Sequence, residues 1–128
     1  MKKLYALVLL LVGPSIAQAG PLGLPQVSVG CPYVIEVENK LPNAANLISI
    51  KARIVGLPWN VIEDFGGNPQ PISAGAVWND DYKTSSACNT TRHDFQLKFR
   101  NAQNVIKTKR KNGIKVKNGT KVKFVLGQ

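Results

Sequence analysis

The chain is short of acids, histidine, cysteine and helical pattern, and each shortage narrows what it can be. Seven Asp and Glu stand against seventeen Lys and Arg, with one histidine, two cysteines and one methionine. One histidine and two cysteines leave no ligand set for zinc. Asp80-Asp81 with Glu63-Asp64 offer oxygen ligands but no calcium-loop spacing, so they read as solvated loop acids. No nucleophile-elbow motif occurs, and Asp94 beside His93 would point to the opposite face of a strand. No cofactor motif is present, and no cofactor is expected. No apolar run reaches the about 20 residues that span a bilayer. No window keeps a helical period, so membrane contact is expected to be electrostatic only.

What is there begins with an export signature. Lys2 and Lys3 precede the apolar run Leu4 to Val12, Gly13-Pro14 breaks it, and Ala17-Gln18-Ala19 has the form of a cleavage site. Residues 1–19 therefore read as a cleaved signal peptide, leaving a mature chain without a transmembrane segment. The short Lys-Lys start suggests a bacterium, with the periplasm as the first expected location and the extracellular medium as the second. Residues 20–30 form a Gly/Pro-rich extended lead-in, in which Val27 to Val29 would add at most an edge strand. Cys31 and Cys88 are an even pair in an oxidising compartment and are expected to form a disulfide. The rival reading, a Cys88/His93 nucleophile pair, would leave Cys31 alone and lacks an orienting third group.

Period-two alternation dominates the remainder. Tyr33, Ile35 and Val37 share one face against Glu36 and Glu38. Ile48, Ile50, Ala52 and Ile54 oppose Ser49, Lys51 and Arg53, and Phe95, Leu97 and Phe99 oppose Asp94, Gln96, Lys98 and Arg100. Each pattern predicts a half-buried strand with one wet face. A helical turn within Asn43 to Leu47 is the one departure considered. Gly56 to Thr91 is rich in turn residues; Ile72 to Trp78 could hold a short strand broken by Gly75, and Asn79 to Ser86 reads as a polar loop. Trp59, Phe65, Trp78 and Tyr82 lie in this stretch, either as plugs under loops or as side chains presented to a partner. Residues 31–128 are thus expected to form one all-β domain, a small immunoglobulin-like β-sandwich with one disulfide, with a small β-barrel as the alternative. Trp59 lies too far beyond Cys31 to be the core tryptophan of a true immunoglobulin domain.

Charge is unevenly placed. Arg92 to Gln128 holds eleven Lys or Arg against one acid, Asp94, whereas Gly20 to Thr91 holds four against six. The basic end repeats Lys-Asn-Gly at Lys111-Asn112-Gly113 and Lys117-Asn118-Gly119, and Asn-Gly between alternating runs is a strong hairpin signal. Three-residue loops at both places would give a meander that buries Ile106, Thr108, Ile114, Val116, Thr120, Val122, Phe124 and Leu126. Lys107, Lys109, Lys115, Lys117, Lys121 and Lys123 would then share its outer face, either as a binding surface or as a guard against edge pairing.

These features point to an exported, non-catalytic protein-interaction module, an accessory component of a bacterial envelope or secretion assembly. It would dock through a basic sheet face or a free sheet edge onto an acidic protein surface or an anionic envelope polymer. Sequence-specific nucleic acid is not expected, because Phe95 and Phe99 face inward and leave no stacking ladder. One alternative is a secreted effector, toxin or antimicrobial protein acting on anionic membranes or polymers. The other is a small basic ribonuclease using His93, Glu63 and Arg92 or Lys98.

Overall fold

The computed structural model describes residues 30–127. The signal-peptide reading, the lead-in up to residue 29 and its edge strand lie outside the described residues. Eight strands form, with no helix among the described residues: β1 (Pro32–Asn39), β2 (Ala45–Ile54), β3 (Asn60–Asp64), β4 (Gln70–Ile72), β5 (Val77–Lys83), β6 (Arg92–Arg100), β7 (Ile106–Lys115) and β8 (Thr120–Leu126). They make two sheets, one ordered β5-β1-β8 and one ordered β3-β2-β6-β7 with β4 also paired to β2. The sheets do not close on each other, so the architecture is sandwich-like and the barrel alternative falls.

The alternating runs become the core. Tyr33, Ile35 and Val37 from β1, Phe95, Leu97 and Phe99 from β6, and Val122, Phe124 and Leu126 from β8 are all buried. In β2 a bulge between Leu47 and Ser49 shifts the phase, so Leu47 is buried in place of Ile48. Ile50 and Ala52 keep the expected face. One buried polar side chain closes the β1–β2 corner. Asn39 Nδ2 donates to the carbonyls of Ile72 and Asn43 at 2.9 and 3.0 Å, and its Oδ1 accepts from the Leu41 amide at 2.9 Å. Fully satisfied, it costs little to bury.

Three expectations are corrected. Asn79 to Lys83 is not loop but the greater part of β5, paired antiparallel with β1 from Glu38↔Val77 to Pro32↔Lys83. Its acids conceal an edge strand, on which Trp78 and Tyr82 alone pack against the core. Asn112-Gly113 is not a turn. The register of β6 with β7 runs from His93↔Ile114 to Phe95↔Lys111, so Asn112 and Gly113 both stand opposite Asp94 as a bulge within one continuous strand, with Gly113 at φ 66°. Because the strand does not turn, Ile106 and Thr108 stay exposed.

The third correction concerns the meander itself. A turn does form at Asn118-Gly119, with the Thr120 amide on the Lys117 carbonyl at 3.0 Å and Gly119 at φ 83°. The chain then crosses to the other sheet, where β8 pairs in parallel with β1 from Tyr33↔Thr120 to Asn39↔Leu126. β7 and β8 therefore belong to different sheets, and the six lysines do not share a face.

Cys31, just before β1, is bonded to Cys88 in the β5–β6 loop, 57 residues on. The bridge ties the entry of one sheet to the entry of the other. Chain-entropy arithmetic for a loop of that length gives roughly 4 kcal/mol. Replacing both cysteines by alanine is expected to lower stability by roughly 2–5 kcal/mol in denaturant melts. An unchanged midpoint would show that the loop is held without it.

Candidate functional site

The six lysines singled out in the sequence reach three different environments. Lys121 and Lys123 lie on the outer side of the smaller sheet, beside acids. Lys121 Nζ is 3.2 Å from Glu36, and Lys123 Nζ is 3.0 Å from Glu38 and 3.6 Å from Glu36. The hydrogen bond from Lys123 holds the Glu38 carboxyl below its ordinary value, and Glu38 in turn raises Lys123. These charges are balanced within the fold. Lys107 and Lys109 pair in register with Phe99 and Leu97, which places them on the core-facing side of edge strand β7. Lys109 and Lys111 line a groove there with Phe124 and Val125, where lysine stems can cover apolar surface.

Lys115 and Lys117 are different. They sit at the end of the sandwich where β2 leaves its sheet, and other cations gather beside them. Lys115 pairs in register with Arg92, and the Val55 amide donates to the Arg92 carbonyl at 3.0 Å. Lys83 pairs with Pro32, whose carbonyl takes the Gly119 amide at 2.9 Å, so the Lys117-Asn118-Gly119 turn is adjacent. Arg53 stands opposite Asp94. Arg110 completes the set through Trp59, whose ring lies 5.1 Å from the Arg110 guanidinium and 4.2 Å from that of Arg53. Contacts of this kind add roughly 0.5–1 kcal/mol at exposed sites.

Asp94 is the acid among them, and both its oxygens are taken. Oδ2 accepts from Arg53 Nε at 2.8 Å and Oδ1 accepts from the Gly113 amide at 2.9 Å. Arg92 Nη1 donates to the Gly113 carbonyl at 2.8 Å, so the bulged glycine is held at both of its backbone groups. The Arg53 hydrogen bond, then the Gly113 amide, holds the Asp94 carboxyl below its ordinary value. Asp94 and Arg53 therefore cancel each other's charge, and the remaining cations of this end are left without it.

A cavity of about 270 Å³ opens between the sheets at the same end, walled by Tyr33, Arg53, Leu57, Ile62, Lys83 and His93 among others. Burial raises the Tyr33 hydroxyl to about 12 and lowers His93, against the Thr91 backbone and the Asp94 charge. His93 Nδ1 is buried without a partner, and its ring stacks on Phe95 at 6.2 Å. Glu63, the base of a ribonuclease-like set, accepts from the Tyr82 hydroxyl at 2.9 Å and does not line this cavity. Of the four aromatics considered in the sequence, Phe65, Trp78 and Tyr82 are plugs. Trp78 meets Phe65 edge-on at 5.7 Å and Tyr82 stacks on Tyr33 at 5.9 Å. Trp59 stands apart from the core cluster.

Alternation already put Lys51, Arg53, Lys98 and Arg100 on the wet faces of their strands. Their union on one sheet, with Arg110 and Trp59, was not readable, because it needs the β2–β6–β7 order. No cluster of three metal-ligating side chains occurs among the described residues. Among the same residues, no helix is long and apolar enough to cross a membrane.

Two acid-side effects are expected. The native Asp94 carboxyl titrates below its ordinary value of 3.8, so its stabilisation is complete above that pH and fades as pH falls through the native value. Asp94→Ala should cost about 2 kcal/mol at neutral pH, and the deficit should shrink in strong acid. His93 is held neutral below its ordinary value of 6.5, so the unfolded chain takes a proton that the native state refuses. Stability should fall as pH drops below that value, and His93→Gln should flatten this part of the curve in pH-dependent melts. An unaltered profile in His93→Gln would show that other groups carry it.

Comparison with known protein families, curated proteins and solved structures found no match to this chain.

Proposed function

We propose that the protein is an exported, non-catalytic interaction module that docks an anionic partner through the cationic end of its sandwich. One observation carries this reading. Lys83, Arg92, Arg110, Lys115 and Lys117 converge there from three strands and a loop, while the acid beside them, Asp94, is already paired with Arg53 and the Gly113 amide. Unbalanced cations in one place raise the local concentration of anions and speed their capture. Lys51, Lys98 and Arg100 extend the same field along the outer side of the larger sheet, in register with Gln96, Ser49 and Asn46. Lys121 and Lys123 contribute less, because Glu36 and Glu38 lie within ion-pair distance of them.

In a bacterium such a module would serve an envelope or secretion assembly in the periplasm, meeting an acidic protein surface or an anionic envelope polymer. An immunoglobulin-like character for the sandwich belongs to the same proposal. It is supported by the size of the domain and by a disulfide that ties the entries of the two sheets.

Titration with heparin, a soluble polyanion, across a salt series tests the reading. Binding should weaken steeply with salt, and Lys83→Gln/Lys115→Gln/Lys117→Gln should lower the slope of log K against log salt by about 2–3. Lys121→Gln/Lys123→Gln, equally folded, should lose several-fold less affinity than that triple variant. Equal losses from the two variants would return the effect to overall charge and sink the assignment of a site.

A further inference from the structure

The cationic end is also where apolar side chains protrude. Six large apolar residues are exposed among those described; two of them, Val55 and Leu57, lie in the loop from β2 to β3, and a third, Val61, lies at the start of β3. Val55 and Leu57 are 50% and 52% exposed. Their exposure is built, not incidental. The Leu57 amide donates to the Ile54 carbonyl at 2.9 Å, and Gly56 sits at φ 90°, the third position of a type II turn. The Val55 amide is anchored on Arg92, and Pro58 restricts the chain directly after the turn. A closed turn therefore holds Val55 and Leu57 outward beyond the ends of the strands. A Cβ at Gly56 would meet nothing within 4 Å, so the turn faces open space.

Behind this tip stand Arg53 and Arg92 in their strands, Lys83 across the cavity that Leu57 helps to wall, and Trp59 between Arg53 and Arg110. Val55 and Leu57 thus protrude next to Arg92 and its neighbour Lys115, with Trp59 against Arg53 and Arg110. An anionic bilayer offers complementary parts, with acyl chains beneath negatively charged headgroups and an interfacial zone that favours tryptophan. A soluble polyanion would engage the cations and leave Val55 and Leu57 in water.

We propose that the anionic partner is a lipid surface, with Val55 and Leu57 entering the headgroup–acyl boundary, Trp59 lying at the interface, and the surrounding Arg and Lys on lipid phosphates. The proposal rests on the docking role of the cationic end and names its partner. It adds insertion to the purely electrostatic membrane contact that the lack of an amphipathic helix suggests, because a turn can supply the apolar wedge.

The test uses the exported protein with phosphatidylcholine vesicles, with and without phosphatidylglycerol. The Trp78→Phe background leaves Trp59 as the fluorophore. The protein should bind only the anionic vesicles, and brominated acyl chains should quench Trp59. Val55→Ser/Leu57→Ser should weaken vesicle binding by roughly 30-fold, given the area of two half-exposed side chains, while heparin binding and the melting curve stay unchanged. Vesicle binding without quenching, and indifferent to the two substitutions, would overturn insertion. Retained heparin binding with no vesicle binding would overturn the lipid partner and leave the docking role standing. Loss of both in the unmodified protein would remove the docking role as well.

Discussion

A single buried carboxylate organises the cationic end. Asp94 takes Arg53 on one oxygen and the Gly113 amide on the other, and through Arg53 it reaches the ring of Trp59 and, beyond it, Arg110. Each contact solves a local problem. The bulge in β7 needs its glycine held, and Arg92 secures the other side of that peptide. Arg53 needs an anion if it is to lie flat across an indole among other cations. One acid thus makes a crowded set of like charges compatible with a folded surface, and in doing so cancels the charge of Arg53.

The second constraint is topological. Chain crossing after Asn118-Gly119 sends β8 to the far sheet, in parallel with β1, and this sorts the lysines. On the smaller sheet the outward residues of β1 are Glu36 and Glu38, so Lys121 and Lys123 find partners across one strand spacing. The outward residues of β2, β6 and β7 include no comparable acids apart from Asp94, so cations accumulate there. The same residue type is neutralised on one sheet and left unbalanced at the other. Composition alone cannot make that distinction, because screening and pairing act over a few ångströms.

Several elements are legible in the sequence because burial imposes a period. Tyr33-Ile35-Val37, Phe95-Leu97-Phe99 and Val122-Phe124-Leu126 alternate with polar neighbours, and a strand with one wet face has no other way to read. β5 is not legible in that way. As an edge strand with Asp80 and Asp81 on it, it carries only Trp78 and Tyr82 toward the core, and two contacts within seven residues look like loop. Asn-Gly is legible as a site of positive φ but not as a turn. The dipeptide permits a left-handed residue, and at Gly113 that residue serves a bulge while at Gly119 it serves a turn.

Local chemistry in the chain was sufficient for the all-β class, the cysteine pair, the inward faces of β1, β6 and β8 and the concentration of positive charge after Arg92. Those properties depend on neighbours in sequence or on counting. Only the tertiary arrangement decided which lysines meet acids, that Asp94 faces Gly113 and Arg53, and that Val55 and Leu57 stand out beside the cations. These are pairings between residues about 20 to 85 positions apart, set by strand order and register. Register in turn is fixed by the bulges and the core as a whole, not by any single segment.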